Sequence, residues 1–410
     1  MERIAMRAAA GLTVAAVVLA GGCAGPRPGS FGEDLAFLKK HLDVVVLSSE
    51  DGSAQVAVVG AYQGRVMTST ADGPGGLSYG WINRELIASG RKQKHINAYG
   101  GEDRFWMGPE GGQFSIYFPK GAEFKFENWQ VPAVIDTEPF DLALKADTKA
   151  VYAKRCQLTN WSGTNLDVGI QREVVLLDAA AVTAKFGFTP GKGVKMVAYE
   201  SVNTIANKGK AAWTKKTGLL SIWMLSMYNA SPATTVVVPF VTGPEAKLGK
   251  IVTDDYFGKV PAERLKVDAA KGVMFFKADA KYRSKIGVSP KRAKPILGSY
   301  DAANKALTLV TFSKPKGVTD YVNSLWKLQK APFAGDAVNS YSDGLDEQGK
   351  QLLGAFYELE TSSPAAALKP GDSLTHVHST VHLQGDEGEL DKIAKATLGV
   401  SLAEIQAALK

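Results

Sequence analysis

Apolar and polar positions alternate along most of this chain. "DVVVLSS" and "AQVAVVG", joined by the turn sequence "EDGS", predict a β-hairpin, and "GRVMTSTA" predicts a third strand. The same period of two runs through "FSIYF", "AVYAKRCQLTN", "LDVGIQREVVLL", "VKMVAYESVNTI", "GLLSIWMLSMY", "TTVVVPF", "GVMFFKA", "ALTLVTFS", "GAFYELETSS" and "LTHVHSTVHLQ". Gly, Pro, Asn and Asp separate these runs. Helical spacing occurs in few places. One is "GEDLAFLKKH", with Leu35, Leu38 and Leu42 on one side; the others are "DAAAVTAKFG" and the C-terminal "DEGELDKIAKATLGVSLAEIQAALK". Ser401 followed by Glu404 predicts a capping box in the last of these. The pattern predicts a mostly β fold, a large sandwich or barrel of antiparallel strands, with no βαβ rhythm and no short repeat. No linker interrupts the body, so residues 33–410 read as a single domain.

The first residues read differently. Arg3 and Arg7 precede the apolar "AAAGLTVAAVVLA", which is short for a membrane span, and "LAGGC" follows. Small residues before a cysteine resemble the lipobox of bacterial lipoproteins, although Ala20 stands where Leu is more usual. The resemblance implies a signal peptide over residues 1–22 and lipidation at Cys23. The Pro- and Gly-rich stretch 23–32 would then be a flexible tether. The implied location is the bacterial cell envelope, lipid-anchored, on the outer membrane facing the periplasm. Cys156 is the only other cysteine, so the body has no internal disulfide, and its place in an alternating run predicts a buried thiol. A net charge of +7 spread over scattered lysines, with no run of five basic residues, predicts a solvated surface. No P-loop, H-E-x-x-H, G-x-S-x-G or dinucleotide fingerprint occurs, and nothing resembles a nucleic-acid module.

Three stretches carry candidate chemistry. "NAYGGEDRFWMGPEGG" crowds acids, a base and aromatic rings between glycine pairs. Trp106 and Phe105 offer ring faces for a sugar; Asn97, Glu102, Asp103, Arg104 and Glu110 offer polar contacts to its hydroxyls. The competing reading is a salt-bridged loop whose tryptophan plugs the core. In "THVHSTVHLQ", His376, His378 and His382 share one strand face. One metal ion could bridge His376 and His378, whereas His382 lies about 20 Å from His376 along the strand. The pair is equally suited to acid/base work or to hydrogen bonding. In "FYELETS", Glu358 and Glu360 share one face, as a catalytic pair or as a solvated one.

The hairpin followed by "GAYQGRVMTST" resembles the opening of aldose 1-epimerases, the galactose mutarotases. "GGEDRFWMGPEGG" and "FYELETSSPAAALKPGDSLTHVHSTVH" resemble an uncharacterised bacterial family of that superfamily, DUF6786, over nearly all of residues 33–404. The resemblance implies a β-supersandwich with a carbohydrate-facing concave surface. It also implies a late glutamate base, Glu358 or Glu360, and a ring-contacting His95. The mid-chain "N-H" histidine of true mutarotases is absent, since no histidine lies between His95 and His376. Expectations are therefore an enzyme on a sugar or glycan, of epimerase, lyase or hydrolase type. The alternatives are a non-catalytic glycan-binding lipoprotein and an envelope structural protein. No cofactor is required by the sequence. The expected partners are a carbohydrate and, through Cys23, the membrane, and the chain is expected to be a monomer.

Overall fold

The computed structural model of the chain describes residues 29–410; the signal segment, Cys23 and most of the tether lie outside them. Two antiparallel sheets account for the body. The first has eight strands in the order β1 (Val44–Ser48), β2 (Gln55–Val59), β3 (Arg65–Thr70), β4 (Gly101–Gly108), β9 (Ser221–Asn229), β17 (Phe356–Ser362), β16 (Val338–Ser342) and β13 (Ser284–Val288). The second has ten: β11 (Leu265–Asp268), β12 (Val273–Lys277), β10 (Thr234–Pro239), β14 (Ile296–Asp301), β15 (Ala306–Phe312), β18 (Ser373–Gly385), β8 (Val194–Asn207), β7 (Asn165–Leu176), β6 (Lys149–Thr159) and β5 (Asp141–Ala146). The sheets face each other across a core of alternate side chains, such as Val56, Val66, Phe105, Met224, Tyr199 and Ile205.

The outer face of the ten-stranded sheet is closed by helices. Val182 and Phe186 of Ala179–Phe186, with Leu390, Ile393 and Leu398 of Glu387–Leu398, pack on Leu307, Leu309, Val381 and Leu383. The short helix Leu402–Ala407 adds Ile405 and starts with the expected capping box between Ser401 and Glu404. The outer face of the eight-stranded sheet has helical cover only at its β2–β3 end, where Phe31 and Leu38 of Phe31–His41 and Leu86 and Ile87 of Arg84–Ser89 pack on Ala57, Val59 and Met67. Over the β4, β9 and β17 part, loops spanning 109–140 and 320–336 fold across it.

Two local expectations fail. The stretch around "GGEDRFW" is no loop: it is β4, buried along its whole length in the middle of its sheet. "FSIYF", expected as a strand, runs as irregular backbone, pinned where Tyr117 Oη donates to the Met107 carbonyl at 2.9 Å.

Candidate functional site

The crowded charges of β4 are sorted by a bulge. Its register against β9 shifts between Gly101 and Arg104. Gly101 sits at φ 110°, and a Cβ there would lie 2.6 Å from the Arg65 side chain, so only glycine fits. Beyond the shift, Glu102 and Asp103 both turn into the space between the sheets, and Phe105 joins them there. Arg104 and Trp106 turn to the outer face.

Between the sheets these acids are fully answered. Arg172 donates to both a carboxylate oxygen and the carbonyl (2.8 Å) of Asp103, to Asn203 (2.6 Å) and to the Gly64 carbonyl (2.9 Å). Ser201 donates to the other Asp103 oxygen at 2.8 Å. Glu102 accepts from Ser69, from Tyr199 Oη at 2.9 Å and pairs with His382 Nε2 at 2.9 Å. These groups have no exposure to solvent or nearly none. Glu102 and Asp103 thus brace the sandwich instead of contacting a ligand.

His376 and His378 belong to the same sealed layer. The Thr361 hydroxyl meets His376 Nε2 at 2.8 Å and His378 Nδ1 at 2.9 Å. One hydroxyl can donate to one ring and accept from the other, which leaves at least the accepting ring neutral. Burial pushes both down, His376 to about 3, with His378 lowering its partner further. They share a face, as their spacing required, but it is the face turned away from Glu358 and Glu360. The structure therefore withdraws them from the catalytic and metal-binding assignments: a hydroxyl occupies the position that a bridging ion would take.

The outer face of the eight-stranded sheet gathers a different set. Glu358 and Glu360 alternate with Tyr357 and Leu359 on β17, and both carboxylates point outward with Arg104. Arg104 donates to Glu358 at 2.8 Å and lies 4.5 Å over the Trp106 ring. Trp106 meets Trp223 of β9 edge to face, 5.7 Å between centres. Trp223 Nε1 donates to Glu360 Oε2 at 2.9 Å, and Lys285 of β13 donates to the same oxygen at 2.8 Å. Lys285 also sits 4.8 Å over the Trp223 ring and 5.8 Å over that of Tyr256. From the covering loops, Glu110 faces Lys285 and Glu360 and accepts from Trp326 Nε1 at 3.2 Å. The Tyr256 hydroxyl donates to Asp336.

This face differs from the inner one in two respects. Several of its buried polar atoms have no partner: Arg104 Nε, Glu360 Oε1 and Trp106 Nε1. Leaving such groups unmatched costs about 1–3 kcal/mol each. Three of its carboxyls, Glu358, Glu110 and Asp336, are also biased toward protonation. Glu358 is pushed up to about 8 by burial and by the neighbouring Glu360, against the pull of Arg104. Burial raises Glu110 and Asp336 as well.

The other expected residues lie around this centre. Asn97 is buried and bonded to Asp136 at 2.7 Å. His95 Nδ1 meets the Trp129 carbonyl at 2.6 Å and its ring packs on Phe126, which puts it on the covering loops and out of contact with Glu358 and Glu360. Phe105 is core. Trp106 has one face under Arg104 and is 4% exposed, so it offers an N–H more readily than a stacking face. Lys285, Trp223, Trp326 and Tyr256 belong to the centre and were not apparent in the sequence; the aromatic–basic "YRSK" preceding "IGV" was the one signal for Lys285. Open clefts lie elsewhere. One of about 410 Å³ is bordered by Arg264, Lys266 and Lys277, and one of about 320 Å³ by Asp34, Trp81 and Arg84. Loops close the Glu358–Glu360 face in this conformation.

The sequence of residues 29–409 matches the family model described as "Family of unknown function (DUF6786)". The chain belongs to this family. No curated protein matches it significantly. Among solved structures, it is similar to a protein from Escherichia coli described as "Putative aldose 1-epimerase", with 11% identity and a TM-score of 0.50. That match covers 83% of this chain and 98% of the other. A galactose mutarotase-like protein from Lactobacillus casei aligns with 9% identity and a TM-score of 0.45, covering 83% of this chain and 100% of the other. At such identities the likeness concerns the fold alone, which is mutarotase-like, as the resemblance in the sequence implied.

Proposed function

We propose that this DUF6786 protein binds a sugar on the outer face of the eight-stranded sheet and performs acid/base chemistry on it with Glu360 and Glu358. The observation that carries this reading is the set of buried, unanswered polar atoms around the two carboxylates. Sugar hydroxyls both donate and accept, so one ligand can satisfy Glu360 Oε1 together with the Trp106 and Arg104 N–H groups. Glu360 holds Lys285 and Trp223 with one oxygen and keeps the other free, as a base requires. Glu358 favours its protonated form and so is suited to donate a proton. Arg104 positions Glu358 and Lys285 positions Glu360. The loops exclude water once a sugar is enclosed.

The mutarotase-like fold of the Escherichia coli protein supports a saccharide as the ligand. A second reading, binding without turnover, is favoured by one observation: no histidine contacts this face. The segment 1–23 supports a further part of the proposal, an envelope lipoprotein anchored through Cys23 and facing the periplasm. A mature wild-type protein whose mass showed no lipid on Cys23, or an N-terminus other than Cys23, would refute that part.

The test is a glycan array followed by calorimetry on its hits, then proton NMR of the anomeric signals for turnover. The proposal expects wild type to bind and convert at least one saccharide. Glu360→Gln should retain the fold and lose turnover at least about 100-fold. Binding with no turnover would favour the second reading. No binding to any saccharide, or unchanged behaviour in Glu360→Gln, would overturn both.

A further inference from the structure

The loops over the outer face display more aromatic surface than closing it requires. Phe126 stacks on Trp129 with centres 5.9 Å apart and planes at 23°, and Trp129 stacks on Trp326 at 5.7 Å and 28°. Phe118 stands edge-on between Trp326 and Phe124, 5.1 Å from each. Phe124 in turn stacks on Trp161 at 5.5 Å and 26°. The series begins at the site itself, because Trp326 Nε1 donates to Glu110. It ends at the surface: Phe126 is 54% exposed, and Phe124, Trp161 and Trp326 are half-buried. The one polar atom of Trp161 is satisfied internally, its Nε1 donating to the Ala122 carbonyl at 2.7 Å. What the strip offers outward is therefore ring surface.

Exposed apolar surface of this kind is costly unless something covers it. Ring faces suit the C–H faces of sugars, and a row of them suits successive sugar units. We infer that the aromatic strip from Trp326 out to Phe126, Phe124 and Trp161 is a set of subsites, and that the ligand is a glycan chain whose terminal unit enters the Glu358–Glu360 centre. This inference rests on the sugar-binding reading above and narrows it from any saccharide to an oligosaccharide. An anionic bilayer is the rival occupant, because Leu328 is 65% exposed beside Lys327 and Lys330. The chain of ring stacking leading to Glu110 favours the glycan: a bilayer-inserting surface has no need of continuity with a buried carboxylate.

The experiment measures affinities of the full chain by calorimetry. The probes are galactose, glucose, N-acetylglucosamine and galacturonate, each as monomer and as oligomers of two to six units. In at least one series, affinity should rise about tenfold or more with length. Phe126→Ala and Phe124→Ala should each remove about fivefold of that gain while leaving any monomer affinity unchanged. Phe126 is exposed, so its replacement leaves the core intact. Monomer binding with no gain on lengthening in any series would overturn the inference while leaving the sugar site standing. So would equal loss of monomer and oligomer affinity in Phe126→Ala. No binding by any monomer or oligomer would overturn the sugar site itself. Phosphatidylglycerol vesicles serve as the control: binding to them that Phe126→Ala abolishes, with oligomer affinity unaffected, would assign the strip to a membrane and overturn the inference.

Discussion

The two faces of one eight-stranded sheet hold almost the same kinds of side chain and do opposite things. The inner face buries Glu102 and Asp103 against Arg172, three histidines and several hydroxyls, and nearly every donor meets an acceptor. The Tyr79 and Tyr152 hydroxyls are its exceptions. The outer face buries Glu358 and Glu360 beside Arg104 and Lys285, yet leaves an acceptor oxygen and two N–H groups beside them unanswered. Buried charge, then, does not distinguish a site from a brace. Unsatisfied hydrogen-bonding capacity beside carboxyls of raised pKa does.

The largest effect should come from breaking the inner face. Arg172→Met leaves Asp103 charged and unpaired in a sealed layer, together with the Asn203 oxygen and the Gly64 carbonyl. Urea unfolding should show a loss of about 3–5 kcal/mol. A loss under about 1 kcal/mol would remove the distinction between the faces. Gly101→Ala should cost about 2–3 kcal/mol in the same measurement, since it adds a Cβ at φ 110° against Arg65 and disturbs the bulge that separates Asp103 from Arg104.

The faces should also respond to pH with opposite sign. His376 titrates lower in the fold than its ordinary 6.5, so below that value the unfolded chain binds the extra proton. Stability is present above pH 6.5 and is lost as pH falls toward about 3. Glu358 titrates higher in the fold than its ordinary 4.5. There the folded chain holds the extra proton, so its contribution is fullest below pH 4.5 and declines as pH rises toward about 8. Urea midpoints across pH 4–9 should lose part of their acid sensitivity in His376→Asn and part of their alkaline sensitivity in Glu358→Gln, the rest resting on His378 and on Glu110 and Asp336. The same slope in wild type and both variants would contradict the assignment. The smallest effect on stability should come from Glu360→Gln, under about 1.5 kcal/mol, because Trp223 can still donate to the amide oxygen and Lys285, 13% exposed, keeps an edge to solvent.

How much of this was legible in the sequence depends on the range of the signal. The pairing of Glu358 with Glu360 followed from a period of two within one strand, and the structure keeps it. The shared face of His376, His378 and His382 was legible for the same reason. Which side of the sandwich that face adopts was not, because alternation carries no information on which layer covers it. Two consecutive acids in β4 could not be assigned to a face at all. A bulge overrides alternation there, and its cause is a close approach between Gly101 and Arg65, 36 positions apart. Lys285 was hidden for a longer-range reason: its five-residue strand reaches Glu360 only by pairing with β16, more than fifty residues later.

The most direct measurement is a crystal structure of the protein soaked with the saccharide that binds best. The account predicts sugar density against Glu360 Oε1 with a hydroxyl in reach of Trp106 Nε1 or Arg104 Nε, and Glu102, Asp103, His376 and His378 unmoved. Density confined to the open clefts beside Lys277 or Arg84, with those outer-face atoms still unpartnered, would contradict it.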